Sequence, residues 1–598
     1  MRRFELSCQL RRVSDMTISD FSRDAVCRYL RSVVLIDDNL FNASKRHSRQ
    51  NDLDLDGPPI LILNKDGVAP DLATMTIEAD EDDHRADDNW VDARSVTDGF
   101  AKEGIVCGVY EPKEFPETNF ESDGNFKTLL KVCTNADVFI LDWHLFRGNQ
   151  NENAVAHLLK YILSEDNRNT SPKPVRFCAI YTAERVDAIC DKVYTELKQI
   201  EPSARQDVDA RKVYAGGLTV CIYAKEEATS SGAVAAKDLA GRIITDYAKT
   251  YEGILPALAL RGIASIRENT KRILDRFPAG MDPALVLHSG LTIGGQAIAE
   301  DVTNLIGDEV SSVLSDLQVS SNEIYDLCAE YVNCCADSDF RQTDDSEINK
   351  AIASGVGEGA IRDFLCRVFN QRTLFPKDSD GAYKAVFSKC KETPNPKFNP
   401  NLLKLFRSYV ERKIKSPVKF GALSAMFCQR TSYSAKRMLK FGTVVRDAVE
   451  RDAYYLCLMP SCDSIRLLDY EVVKHSDGTE ENCQKVHYFP FWKLDAVKDG
   501  GMSKAHGLVV KGDDGAYCPL CARGKIRENF RLMKFHSCRE IVEFEDDNCV
   551  RTTDNEKTFE WVAELKSAHI QRMAEFVSRE FSRVGLTESE WLRLQVDR

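Results

Sequence analysis

Five residues stand where their side chains could act on one substrate. Asp37 and Asp38 follow the apolar run Val33-Val-Leu-Ile36, and Asp142 follows Val138-Phe-Ile-Leu141. Thr182 follows Phe177-Cys-Ala-Ile-Tyr181, and Lys225 comes just after Leu218-Thr-Val-Cys-Ile-Tyr223. Carboxylates brought together repel one another and hold protons or a cation; an all-oxygen set favours Mg²⁺, which binds through a few carboxylates and a phosphate. An ammonium opposite them pairs with a phosphoryl oxygen, and a hydroxyl bonds another. The chemistry this set fits is Mg²⁺-assisted transfer of a phosphoryl group to a carboxylate nucleophile.

Such a set works only if the fold gathers it. The four runs named, with Ile105-Val-Cys-Gly-Val109, are short, rich in β-branched and aromatic residues, and apolar on both faces. Strands buried in a parallel sheet read this way, because helices cover both sides. Amphipathic stretches lie between them, among them Ala154 to Leu163 and Val234 to Tyr247. The pattern predicts an α/β domain, a doubly wound five-stranded parallel sheet with right-handed crossovers. In such sheets ligands bind at the carboxyl ends of the strands, where all five residues stand.

The strings VVLIDDN, DVFILDWHL, AIYTAE and CIYAKE resemble, in order and in position after each strand, the signature segments of the two-component response-regulator receiver domain, a flavodoxin-like fold, over about residues 30–250. The resemblance implies that Asp142 is the phosphoacceptor of a phosphorelay. It implies that Asp37, Asp38 and Asp142 hold Mg²⁺ with the His144 carbonyl, that Thr182 is the switch hydroxyl, and that Lys225 pairs with the phosphate. Three departures stand out. The interval from Asp38 to Asp142 is stretched to 104 residues, Glu226 replaces the usual proline after the lysine, and Ile222 occupies the place of the aromatic switch residue, with Tyr223 one later. A pseudo-receiver that docks a partner without phosphotransfer is the alternative these departures leave open.

Residues 1–29 read as an N-terminal extension, 30–250 as the receiver-like domain, 251–440 as a helical domain, 441–550 as a small β-rich α+β module and 551–598 as C-terminal helices. The last long helix is expected to carry Trp561, Leu565, Met573, Phe576, Val577 and Phe581. Cys518-Pro-Leu-Cys521 is a C-x₂-C pair inside the β-rich module. Zinc takes four ligands in tetrahedral array, so Cys457 and Cys462, or His536 and Cys538, are the candidates to complete a Zn site. Buried thiols in apolar strands are the alternative. No recognisable catalytic set occurs in residues 250–598, so the chain reads as a regulator rather than an enzyme. Tyr455-Leu-Cys-Leu-Met-Pro-Ser-Cys-Asp463, Phe489-Pro-Phe-Trp492 and Ser582-Arg-Val-Gly-Leu586 together resemble large receiver-fused proteins that bacteria encode beside Hsp90-like or histidine-kinase-like ATPases in antiviral defence and conflict loci. That resemblance implies an ATPase partner of this kind.

Charge narrows the remaining choices. The 598 residues carry a net charge of −13, too acidic for a general nucleic-acid coat. Residues 51–90 hold 12 acidic side chains against Lys65 and Arg85, and an acidic insertion over about 45–95 is expected to lie as an ill-ordered surface excursion. Residues 401–450 hold 11 Lys and Arg against Glu411, Asp447 and Glu450. That segment reads as a charged helix face or, in a second reading, as a surface for nucleic acid. No apolar run approaches a membrane span, and the 20 Cys fit a reducing cytoplasm better than a secreted disulfide framework. A homo-oligomer is compatible with all of this.

Overall fold

The computed structural model describes residues 17–37, 40, 91–112, 124–145, 154–169, 174–226, 232–291, 295–316, 321–334, 420–431, 437–464, 467–474, 480–497, 508–512, 515–522, 526–545, 548–553 and 557–582. Asp38, nearly all of the acidic insertion and residues 401–419 of the basic stretch lie outside the described residues. At the end of the expected insertion, Val91 is already buried and a helix begins at Ala93.

The chain divides into two compact units. The first, residues 1–265 with 321–330, is built on a seven-stranded sheet in the order β2-β1-β3-β4-β7-β6-β5. Its strands are β1 (Ser32–Ile36), β2 (Val106–Tyr110), β3 (Val138–Leu141), β4 (Arg176–Thr182), β5 (Arg205–Asp207), β6 (Lys212–Ala215) and β7 (Leu218–Ala224). The five strands expected from the apolar runs all form, and they pair in parallel as β2-β1-β3-β4-β7. The sheet is nevertheless mixed rather than purely parallel, because β5 and β6 form an antiparallel hairpin against β7. β7 is thereby an inner strand, and all seven of its residues are buried.

Helices cover both faces. On one, α3 (Gly124–Asn135), α4 (Ala154–Asn169) and α5 (Val186–Ile200) pack Phe126, Leu159 and Val193 onto Val34, Phe139, Ile180 and Val220. The other face holds α1 (Ile18–Tyr29), α2 (Ala93–Lys102) and α6 (Ala236–Thr250). There Phe177 meets Tyr247 with ring centroids 5.0 Å apart. Helix α1 starts on a capping box, in which Thr17 Oγ accepts from the Asp20 amide and the Asp20 carboxylate accepts from the Thr17 amide. A further helix, α7 (Ile254–Glu268), follows α6, and α11 (Ser321–Cys334) is tied to it by an Arg261–Glu323 ion pair of 2.7 Å.

The second unit, residues 266–320 with 331–598, begins with α8 (Thr270–Asp275), α9 (Asp282–Leu291) and α10 (Gly295–Ser315). Its larger part is an antiparallel sheet whose main path runs β14-β15-β13-β10-β9-β18-β17. The path comprises β9 (Thr443–Asp447), β10 (Tyr454–Cys457), β13 (Val486–Ala496), β14 (Leu508–Lys511), β15 (Tyr517–Cys521), β17 (Cys549–Arg551) and β18 (Thr558–Leu565). Off this path, β16 (Phe530–His536) pairs β13 and β8 (Gln429–Arg430) pairs β18. A separate hairpin joins β11 (Tyr470–Lys474) and β12 (Glu480–Gln484).

Alternate residues line two cores, as the period of two requires. One contains Tyr454, Leu456, Trp492 and Leu494, and the other Tyr455, Cys457, Phe489 and Phe491. Trp561 and Leu565 lie in strand β18, so the last helix, α15 (Ser567–Ser582), is shorter than the apolar spacing suggested. Phe559, Ala563 and Leu565 are buried in the strand.

Candidate functional site

The register of the parallel strands fixes the site. Ile36 pairs with Leu141, so Asp37 and Asp142 leave neighbouring strand ends, and the Asp142 amide donates to the Ile36 carbonyl at 3.2 Å. Thr182 pairs with Ala224, and the Lys225 amide donates to the Thr182 carbonyl at 2.7 Å. Four of the five predicted side chains thus come together at one pole of the sheet; the fifth, Asp38, is outside the described residues. All four are removed from water: Asp37 is 3% exposed, Asp142 2%, Thr182 0% and Lys225 1%.

Lys225 Nζ lies 3.4 Å from Asp142 Oδ2. The other carboxylate oxygen, Oδ1, is buried and has no hydrogen-bond partner among the described residues. A buried acceptor left without a donor costs about 1–3 kcal/mol, so this oxygen marks a position suited to a cation or a donor. Burial pushes the Asp142 carboxyl above its ordinary value, while the Lys225 ammonium, the His144 ring and the His144 backbone N–H draw it back down.

Two side chains at the rim add to this set: that of His144, of which the sequence implicated only the backbone carbonyl, and that of Glu184. His144 Nε2 lies 2.6 Å from Glu184 Oε1, joining the loop after β3 to the loop after β4, with both side chains about half exposed. The Glu184 amide also donates to Thr182 Oγ1 at 3.1 Å. That hydroxyl oxygen is therefore used as an acceptor, and its proton is left to donate. His144 and Glu184 each stand two places past a site residue, and that shared offset was the available signal. Tyr181 is a third addition: Lys225 Nζ sits 5.7 Å from its ring centroid, and its hydroxyl donates to the Val234 carbonyl at 2.8 Å.

Tyr223 does not join the site. Thr182 is in register with Ala224, so by alternation Tyr223 faces the other side of the sheet. There its hydroxyl donates to Asp246 Oδ2 at 3.0 Å. Asp246 is buried and also meets Lys212 at 3.2 Å and Arg242 at 3.0 Å. Burial pushes the Tyr223 phenol well up. Ile222, on the same face as Thr182, packs in the core. A hydroxyl-to-aromatic coupling between Thr182 and residue 222 or 223 is therefore absent from this arrangement.

The zinc expectation is corrected. Among the described residues no group of three or more His, Cys, Asp or Glu side chains could hold a metal ion. The reason is local. Cys518 and Cys521 both lie within strand β15, where residues three apart point to opposite faces. Cys518 packs beside the core of Leu520 and Ala522, whereas Cys457 is buried in the opposite core among Phe489 and Phe535. Burial pushes the Cys457 thiol up to about 12. His536 Nδ1 is 3.0 Å from the Lys485 carbonyl, and Cys538 is exposed beyond the end of β16. The side chain of Cys462 is outside the described residues.

A doubly wound sheet that gathers buried acidic, hydroxyl and ammonium side chains at its carboxyl pole defines the receiver class of α/β domain. Residues 29–230, about a third of the chain, match the family model of the response receiver domain, and this part of the protein is a receiver domain. Neither the curated proteins nor the solved structures contain a match to the chain. The receiver domain gives the protein a signalling or regulatory role. Among the described residues no helix is long and apolar enough to cross a membrane.

Proposed function

We propose that the receiver domain takes a phosphoryl group on Asp142 and that the rest of the chain passes the resulting state to a partner. The observation that carries this reading is the buried Asp142 carboxylate, paired through Oδ2 with Lys225 while Oδ1 is without a hydrogen-bond donor among the described residues. An Asp142 oxygen attacks phosphorus, a phosphorus–oxygen bond forms, and the bond from phosphorus to the donor's leaving group breaks with its electron pair. Lys225 then offsets the charge of the phosphoryl oxygens, and the Thr182 hydroxyl donates to one of them.

Asp37 and Asp142 fit a hard divalent cation such as Mg²⁺: both are oxygen donors at adjacent strand ends. When bound, that ion would neutralise negative charge around the transferring group. It would also favour the ionised, nucleophilic form of Asp142, against the upward push of burial.

The likeness of the C-terminal segments to receiver-fused proteins of defence loci supports a histidine-kinase-like or Hsp90-like ATPase as the partner. The displacement of Tyr223 to the other face supports an output route different from a threonine-to-aromatic switch.

The test is a melting curve with Mg²⁺ and beryllofluoride, together with mass analysis after exposure to acetyl phosphate. Binding to the folded state alone raises stability by about 2.7 kcal/mol at a hundredfold excess over Kd. The expected result is such a stabilisation, a gain of one phosphoryl mass, and loss of both in Asp142→Asn. A flat response in a protein that still binds its ATPase partner would establish the docking-only pseudo-receiver instead.

A further inference from the structure

The receiver unit carries a second polar cleft at the pole opposite Asp142. It has a volume of about 360 Å³, within the roughly 300–1,000 Å³ typical of small-molecule sites. Its lining includes Arg205 on β5, Tyr214 on β6, the Gly216–Gly217 turn, Thr219 at the start of β7, and Lys249 at the end of α6. Gly217 sits where the strands begin, its carbonyl accepting from the Arg176 amide at 2.9 Å as β4 starts. Gly216 has φ of 60°, the left-handed conformation that favours glycine and makes this tight turn.

The cleft is cationic. Two positive side chains line it and no carboxylate does. Neither Arg205 nor Lys249 makes an ion pair with a described residue, whereas Lys160, Arg176, Lys212 and Arg242 are all paired. Asp207, the acidic residue nearest in sequence to Arg205, instead accepts from the Ala210 amide at 3.0 Å. The guanidinium of Arg205 is held over the Tyr214 ring, 4.0 Å from its centroid, which limits its rotamers without neutralising it. Thr219 is 5% exposed, lines the cleft, and its hydroxyl makes no hydrogen bond to a described residue. A pre-positioned guanidinium, a free ammonium and an unused hydroxyl form a donor set matched to phosphate oxygens.

We propose that this cleft binds a phosphorylated small molecule, with its phosphate between Arg205 and Lys249. The site does not depend on phosphotransfer to Asp142, so either reading can fail without the other.

The test is calorimetric titration of the full-length protein with inorganic phosphate and pyrophosphate, in the presence of EDTA to remove divalent cations from the acidic crevice. Sulfate and a short single-stranded oligonucleotide are run alongside at equal ionic strength. Saturable pyrophosphate binding is expected, weakened at least tenfold in Arg205→Gln and in Lys249→Gln, weakened a few-fold in Thr219→Val, and unchanged in Asp142→Asn. Arg205 and Lys249 are exposed, so the two charge-removing variants should melt as the parent does. The proposal is overturned if no probe but the oligonucleotide saturates, or if affinity survives in the Arg205→Gln/Lys249→Gln double variant. It is also overturned if Asp142→Asn alone abolishes binding, which would assign the anion to the crevice.

Discussion

The carboxyl pole of the receiver sheet and strand β15 of the second unit offer the same raw material, a few reactive side chains within a short string. They end differently. Asp37, Asp142, Thr182 and Lys225 come from four separate strings and converge, because parallel strands in register deliver their next residues to one pole. Cys518 and Cys521 come from one string and diverge, because they lie inside a strand and three residues is an odd step. Residues at the like-directed ends of several strands converge, whereas two residues an odd step apart in one strand are sent to opposite faces.

The largest expected effect is at the converging site. Lys225→Met leaves Asp142 buried without its cation, and breaking a buried pair costs about 3–5 kcal/mol. The pH dependence has a definite sign. Burial raises the Asp142 carboxyl, so the folded protein holds that proton to higher pH than the unfolded chain, whose value is near 3.8. Stability from this group is therefore present at low pH and lost as pH rises above that value. Removing Lys225 removes the main counterweight, so the loss in Lys225→Met should be visibly smaller at pH 5 than at pH 7.5 in urea unfolding. An equal loss at both would show that the ion pair is not what Lys225 contributes.

Next in size is Gly421→Ala, on α12 (Phe420–Cys428), whose added methyl would collide with the Tyr517 side chain at the start of β15. Overpacking of this kind costs about 1–3 kcal/mol, and thermal denaturation should show it. If Tyr517 and β15 can move aside, the variant melts as the parent does.

Smaller again are the cysteines. Cys518→Ser and Cys521→Ser should each cost about 1 kcal/mol, and the double variant should equal their sum to within about 0.5 kcal/mol, since the thiols face opposite sides. Elemental analysis should find no stoichiometric zinc. Strong coupling between the two, or bound zinc, would restore the metal knuckle and erase the contrast.

Smallest is the rim. His144→Asn or Glu184→Gln removes a half-exposed, solvent-screened ion pair and should change stability by less than about 1 kcal/mol. The rate of modification by acetyl phosphate is the informative readout, since the pair spans the loops flanking Asp142.

The five parallel strands were legible because a strand covered on both faces must be apolar throughout, which leaves a dense run in the sequence. The β5–β6 hairpin was missed for the opposite reason. Arg205-Gln-Asp207 is three residues long and polar, and it forms because β6, itself laid on β7, offers it an edge, not because of its own composition. Strand β18 reads as helix in the sequence because Trp561 and Leu565 are four apart, a spacing that satisfies both periods; pairing with β9, β17 and β8 decides it. At the site, each predicted residue that is described falls into place. Glu184 and Tyr181 escaped because their roles depend on which loops become neighbours, information held in the topology rather than in any one string.

The covering of the sheet has a practical consequence for where the receiver can be cut. The family match begins at residue 29 and ends at 230, whereas α1 runs from Ile18 to Tyr29 and α6 from Ala236 to Thr250. An excised 29–230 fragment would carry strands whose second face has lost Phe21, Val26, Ile243 and Tyr247, leaving Phe177 and its neighbours open to water. Such a piece would self-associate before it signalled anything. A fragment that keeps the sheet covered on both sides runs at least from Thr17 to Tyr251, so the family match and the foldable body are different lengths of the same chain.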